Sequence, residues 1–295
     1  MSGALLRSGR VRPATVLVTG ASGFVGRHVV ATLRARGHDV LAPDRHTLDL
    51  FNGSAVRRWM ERARPSGLIH LAWCTDPADY RHSPLNQSWL DVSTLLHGLF
   101  CANGGVRAVF AGSCAEYDWS AGVCSEDTPC VSPGDAYTRA KIALGQQVLG
   151  TPNTVWARLF FLLGPGESGG RLVPSLAAAL ARGERGEIGP GHLRRDFLDV
   201  RDASRALVDL FECEFEGTVN VGSGAALAVA DVALAVGRLL GATERVGIGE
   251  RAAPVDAAPL VLADIRRLVA ATGFAPRYTL DETLLAALTP DLNHA

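Results

Sequence analysis

The chain has 295 residues, 47% of them hydrophobic and 20% charged, with a formal net charge of −1. That length suits one large domain or two smaller ones sharing a cleft, and the balanced charge excludes a general attraction to nucleic acid or to an anionic membrane surface. No apolar run reaches the roughly 18 residues of a membrane span, and residues 1–13 carry three arginines without a signal peptide's apolar stretch, so a flexible N-terminal arm on a soluble, cytoplasmic protein is expected.

Ala14 to Thr19 is a short apolar, β-branched run, which reads as a buried strand. It runs into Gly20-Ala21-Ser22-Gly23-Phe24-Val25-Gly26, and an amphipathic helix is expected from about Phe24 to Arg36, ended by Gly37. Strand, glycine-rich turn and helix are the setting of a dinucleotide-binding fingerprint. The glycines let backbone approach a pyrophosphate, and the helix N-terminus adds N–H donors and positive potential. The next strand, His38 to Ala42, ends at Pro43-Asp44-Arg45. Asp44 stands where an acid meets the adenosine ribose, and adjacent Arg45 would instead meet a 2′-phosphate. NAD and NADP both stay open, as does an ordinary turn.

A helix over 54–63, a strand over 67–72, a helix over 86–102 and a strand over 106–110 follow. Repeated βα units with apolar strands indicate a doubly wound parallel sheet of the Rossmann type, with ligands beyond the carboxyl ends of its strands. Ser113 sits at such an end. Later elements are a strand over 153–161, a helix over 172–182, a strand over 194–200, a helix over 203–211, a strand over 218–221, and helices over 229–240 and 280–288. The second part lacks the glycine fingerprint and is expected to form the substrate side of the cleft. The division expected is an arm over 1–13, a dinucleotide-binding domain over 14–165 and a smaller, mainly substrate-binding α/β portion over 166–295. Six cysteines, at 74, 101, 114, 124, 130 and 213, form no CxxC pair and no repeated ligand spacing, so reduced thiols and no metal site are expected.

The most informative stretch is Asp135-Ala136-Tyr137-Thr138-Arg139-Ala140-Lys141. It reads as helix, and positions four apart share one face. The chain holds 28 arginines and a single lysine, and that lysine is Lys141. Arginine is a rigid fork that stays charged, whereas lysine has a tunable pKa. A nearby cation lowers a phenol from its usual pKa of about 10, and a phenol so tuned exchanges a proton with an alkoxide or alcohol. This chemistry suits carbonyl/alcohol redox beside a hydride carrier. His70 and His192 read as structural. Trp73, Tyr80 and Trp119 fall in loops near the cleft, where they either shape a sugar pocket or pack.

The turn Thr19 to Gly26, Ser113 and the Tyr137/Lys141 pair together resemble the extended short-chain dehydrogenase/reductases. The block Arg195-Asp196-Phe197 to Val200-Arg201-Asp202 resembles the nucleotide-sugar branch of that family, the NAD-dependent epimerase/dehydratase group. The likeness covers about residues 14–290. It implies catalytic roles for Ser113, Tyr137 and Lys141. For NAD(P)(H) it implies contacts with Gly20, Ser22, Gly23, Phe24, Val25, Gly26, Asp44, Arg45, Asp49, Leu50, Leu71, Ala72, Tyr137 and Lys141. For a nucleotide-sugar substrate it implies Arg171, Leu172, Arg195 and Arg251, the two latter on phosphate. A homodimer through the helices near 86–102 and 135–149 is implied as well.

Departures from the family pattern narrow the reaction. The Asp-Glu pair of the 4,6-dehydratases is replaced by Cys114-Ala115, and Glu116 is one position late and expected to point elsewhere. The Cys and His of the epimerising GDP-fucose synthases are matched by Ala115 and Arg171. Asp199 replaces the usual His or Tyr. The segment Arg45 to Leu50 is short, as in reductases of this branch. The reading favoured is reduction of a 4-keto-deoxysugar nucleotide. A 4-epimerase with retained NAD is the alternative, and a non-catalytic dinucleotide sensor is disfavoured by the intact Ser113, Tyr137 and Lys141.

Overall fold

The computed structural model describes residues 13–74, 76, 79–131, 134–252 and 257–289. The expected arm lies outside these residues apart from Pro13. In chain order the elements are β1 (Thr15–Thr19), α1 (Gly26–Ala35), β2 (Asp39–Leu41), α2 (Gly53–Ala63), β3 (Gly67–His70), α3 (Leu85–Ala102) and β4 (Arg107–Ser113). Then come β5 (Val123–Cys124), α4 (Ala136–Val148), β6 (Thr154–Leu159), β7 (Phe161–Leu163), α5 (Leu172–Ala181), β8 (Gly186–Glu187) and β9 (Arg194–Asp199). The chain continues through α6 (Val200–Glu212), β10 (Gly217–Val221), β11 (Ala226–Ala228), α7 (Val229–Leu239), β12 (Val246–Gly247), β13 (Leu260–Ala263), α8 (Arg266–Thr272) and α9 (Leu280–Leu288).

Six parallel strands in the order β10-β6-β4-β3-β1-β2 form the main sheet. Its strands are apolar on both faces because helices cover both, and successive side chains alternate between them. Val16, Val18, Ile69, Val109, Val155 and Ala157 face a core shared with α1 and α6. Leu17, Leu68, Ala108, Phe110 and Trp156 face the opposite core, shared with α2, α3 and α4. The doubly wound fold expected from the βα alternation is therefore present.

A second layer is built from short strands: β11-β9-β13-β5 with β7 paired to β9, and the separate pair β12-β8. Helices α5, α7 and α9 pack together over it. After β9 the chain returns to the main sheet as α6, on the face of α1, and as β10 at the edge. The single strand expected over 153–161 is two. Phe160 leaves the main sheet, its amide bonding Val221 O at 3.0 Å, and β7 continues beside β9. Strand β13 and helix α8 fill a stretch in which no element is expected before residue 280.

Candidate active site

Gly20 ends β1 at φ +67°, and a Cβ there would lie 2.8 Å from Ala72 N. Only glycine fits this left-handed residue pressed against the end of β3. The turn closes with Gly23 N donating to Gly20 O at 3.0 Å. At Gly26 an added Cβ would stand 2.0 Å from Gly20 O, so the first turn of α1 folds directly onto the loop. The Thr19 hydroxyl accepts from Leu71 N at 3.2 Å and Ala72 N at 3.3 Å and meets His70 Nδ1 at 2.8 Å, while His70 Nε2 meets Ser93 Oγ at 2.9 Å. His70 is thus structural, and burial pushes its pKa down to about 3. The expected coenzyme residues Gly20, Leu71 and Ala72 come together at one edge. Beside them Ser22 and Gly23 are exposed, and Phe24 and Val25 half-buried. This cradle, with its bare glycine backbone opening at a helix N-terminus, fits a dinucleotide pyrophosphate.

The strand after the cradle is used differently. The exposed Asp44 carboxylate accepts from Thr47 N at 2.7 Å, hydrogen bonding from the Thr47 side chain and then its backbone lowers the Asp44 pKa, and Asp49 accepts from Phe51 N at 3.1 Å. Both acids cap turns here. Arg45 is exposed and Leu50 packs on the core under α2 and α3. One residue missed in the sequence is Arg27. Its guanidinium bonds Gly23 O at 3.3 Å and Ser22 O at 3.4 Å, and a Cβ on Gly166 would lie 2.7 Å from it. Its position immediately after the third glycine was the available signal.

Asp135 caps α4, accepting from Thr138 N at 2.8 Å, and so fixes the start of the helix that carries Tyr137 and Lys141. Both side chains are buried. Lys141 Nζ donates to Ala111 O at 2.9 Å, lies 3.9 Å from the centre of the Trp73 ring and 5.8 Å from that of Tyr137. Tyr80 meets the Tyr137 ring edge-on at 5.0 Å and Trp73 meets it at 6.2 Å. The expected lowering of the Tyr137 pKa by Lys141 is not what the pocket does. Burial pushes the phenol well above its ordinary value, and a hydrogen-bonding contact with the Ser113 side chain opposes this. Burial also pushes Lys141 down to about 7. Desolvation dominates because the phenol and the ammonium are enclosed together.

Ser113 is the last residue of β4 and the cap of a short 3₁₀ turn, Cys114–Glu116. Its hydroxyl accepts from Ala115 N at 3.2 Å. Cys114 is buried, and burial raises its pKa far above the thiol range, so it packs. Glu116 does point elsewhere, into the sheet, where it bonds Trp156 and Arg158. Asp199 caps α6, accepts from Arg201 N at 2.7 Å and from Thr283 Oγ1 at 2.8 Å, and is a structural residue.

The four expected substrate residues fall into two groups. Arg171, which precedes α5, Leu172 and Arg251 line a cleft of about 530 Å³ with Arg182, Arg185 and Glu187. Arg182 is paired with Glu184 at 2.7 Å and Arg185 with Glu250, while among the described residues Arg251 has no ion-pair partner. The Arg171 guanidinium sits 5.4 Å over the Tyr80 ring, which links this cleft to Tyr137. Arg195 is not in it. Its guanidinium bonds Arg194 O at 2.8 Å and Ala258 O at 2.9 Å, near the Trp119 ring, beside a second cavity of about 620 Å³ lined by Trp119, Ala258, Arg81 and Thr138.

Comparison with known proteins gives the same picture. A dTDP-4-dehydro-6-deoxy-D-allose reductase of Streptomyces bikiniensis is 30% identical, over 91% of this chain and 94% of its own. An ADP-L-glycero-D-manno-heptose-6-epimerase of Cupriavidus pinatubonensis is 28% identical, over 78% of this chain and 79% of its own. The structure of RMD from Pseudomonas aeruginosa, complexed with NADPH, is 27% identical with a TM-score of 0.77, covering 93% of this chain and 98% of that one. The model of the NAD dependent epimerase/dehydratase family matches residues 16–222. The chain belongs to this family, as an NAD(P)-dependent oxidoreductase of the extended short-chain dehydrogenase/reductase type.

Proposed function

We propose that this enzyme reduces a keto group, at C4, on a nucleotide-activated deoxysugar, with Tyr137 as the proton donor. The observation that carries the reading is the enclosure of Tyr137 with the Ser113 side chain, Lys141 and the Trp73 ring, one residue beyond Ala72 of the glycine cradle. A phenol so placed beside a hydroxyl and an ammonium can donate its proton to a developing alkoxide, as reduction requires. Gly20, Gly23, Gly26, Leu71 and Ala72 would hold the dinucleotide, and the bound nicotinamide supplies hydride to the carbonyl carbon. Ser113 orients the carbonyl oxygen against the phenol. Lys141 stabilises the phenolate left after transfer and, being pushed to about 7, returns a proton readily. Arg251 and Arg171 bind the nucleotide phosphates in the cleft beside α5, a reading supported by the cleft's size and by Arg251, which has no ion-pair partner among the described residues. The relatives named dTDP- and ADP-sugar enzymes support this substrate class. Helices α3 and α4, packed side by side, are our candidate dimer face.

One observation favours epimerisation instead. Glu167, in the β7–α5 connection near Arg171, has a buried oxygen with no hydrogen-bond partner among the described residues, and burial pushes its pKa up to about 7. Such a carboxyl is suited to moving a second proton. The test is turnover of NADPH and NADH with a panel of 4-keto-6-deoxy nucleotide sugars in D₂O. Coenzyme oxidation that Tyr137→Phe abolishes supports reduction. Inversion at a sugar carbon with no net coenzyme oxidation overturns it in favour of epimerisation, with carbon-bound deuterium if a proton is exchanged and none if a retained NAD returns the hydride.

A further inference from the structure

The residue beneath the catalytic serine has no part in the reading above. Glu116 is 1% exposed, and its carboxylate receives four hydrogen bonds from two strands. Ser113 N donates to Oε1 at 2.7 Å, Trp156 Nε1 to both oxygens at 3.1 and 2.9 Å, and Arg158 Nε to Oε2 at 2.7 Å. Ser113 belongs to β4, and Trp156 and Arg158 to neighbouring β6. The buried guanidinium balances the charge, and its other contacts are Cys130 Sγ at 3.4 Å and the face of the Tyr117 ring at 4.4 Å.

Two glycines make room for this cluster. A Cβ on Gly112 would lie 2.4 Å from Trp156 Nε1 and 2.8 Å from Glu116 Oε1. A Cβ on Gly145, one turn beyond Lys141 on α4, would lie 2.9 Å from the Trp156 ring. The indole oriented by Glu116 is thus wedged between the strand that ends in Ser113 and the helix that carries Tyr137 and Lys141. A buried carboxylate with all its donors in place has one position, and the elements it ties take their register from it.

We propose that Glu116 is the positioning residue of this active site: through its bonds to Ser113, Trp156 and Arg158 it fixes the serine hydroxyl against Tyr137. The inference rests on the reading of Tyr137 as the proton donor. Glu116 touches no reacting group. Tyr137 is faced by Ser113, Cys114 and Glu116 from the β4 turn and by Tyr80 from the loop before α3. Its amide bonds Arg81 O, and Arg81 is paired with Asp135. Lys141 is flanked by His70 of β3, next to His97 of α3. Glu116 is the one carboxylate among these whose charge acts on both Tyr137 and Lys141, raising the pKa of each. Its removal leaves the Arg158 cation uncompensated, so both groups lose their protons at lower pH.

The test compares Glu116→Gln, which removes the charge, with Glu116→Asp, which keeps the charge and shortens the reach. Both should lower kcat by about 10- to 100-fold, the order expected for a slightly misplaced catalytic group, with coenzyme Kd unchanged. In Glu116→Gln alone, the alkaline limb of the reduction profile should move to lower pH, which a purely structural defect does not do. If Glu116→Gln does not fold, Glu116→Asp and Trp156→Phe, which removes one donor from the carboxylate, carry the test through kcat at unchanged Kd. Folded variants with wild-type kcat and an unmoved limb overturn the inference while Tyr137→Phe stays inactive. An active Tyr137→Phe would instead overturn the reading on which it rests.

Discussion

The β1–α1 turn and the cleft beside α5 are built on different principles. The turn is shaped by what is missing: three glycines whose absent side chains let the backbone fold to within contact of itself and of β3. The cleft is shaped by what is present: several arginines, some already paired with glutamates and one unpaired among the described residues. A backbone cradle accepts a constant group and tolerates little change. A side-chain cleft can be retuned one residue at a time. On the proposed reading, with the turn as the dinucleotide side, the cleft as the substrate side and Tyr137 as the seam between them, the first should fail abruptly and the second gradually.

The largest effect is expected at that seam. Tyr137→Phe should cut kcat by about 10²- to 10⁴-fold, the range for losing a general acid, while coenzyme binding measured by calorimetry persists. Next comes Gly26→Ala, whose methyl would stand 2.0 Å from Gly20 O. Calorimetry should find coenzyme binding lost and thermal melting a lower Tm, and an unchanged Kd would break the distinction drawn here. On the substrate side Arg251→Ala should raise KM for a nucleotide sugar about tenfold with kcat nearly constant, as for a group that binds ground and transition states alike.

Two smaller effects concern stability. Lys141 has a folded-state pKa of about 7 against 10.5 in the unfolded chain. Between these values the unfolded state binds more protons, so its contribution to stability improves as pH rises from 7 toward 10.5. Lys141→Met should abolish that rise and stabilise the coenzyme-free protein below pH 7 by roughly 1–3 kcal/mol, the order for relieving a poorly satisfied buried polar group; urea unfolding at pH 6 and pH 9 separates the cases. Glu167 is raised from 4.5 to about 7. Its contribution is fully present below pH 4.5 and lost as pH rises through 7, so Glu167→Gln should give a slightly higher Tm at pH 8 and no gain at pH 4.

The main sheet was legible because its signals are local: apolar strands, a glycine turn, and helices with clear starts. The break at Phe160 was not, since Thr154 to Leu163 is almost continuously apolar and nothing in it marks a change of sheet. Strand β13 follows Pro259 and is four residues long, too short for periodicity to register. Within the site, the pairing of Tyr137 with Lys141 was legible from helical spacing, and Gly20 with Leu71 and Ala72 from the family likeness. The rise in the Tyr137 pKa was not, because it depends on enclosure by Trp73 and Tyr80 from a distant loop. Nor was the separation of Arg195 from Arg251, which depends on backbone carbonyls near residue 258.

The return of the chain to its first sheet bears on how such enzymes acquire new substrates. The edge strand β10 and the covering helix α6 are made only after the chain has passed through β7, α5, β8 and β9. A cut near residue 165 would leave β6 as a bare edge and uncover Ala203, Ala206 and Leu207 together with the core they share with α1. Neither piece would be an exchangeable module. A graft that changes the sugar must be a double exchange, taking the segment before α6 and the segment after β10 while leaving the two returning elements in place. Descent within this architecture is thereby biased toward substitution inside the cleft and away from shuffling of halves.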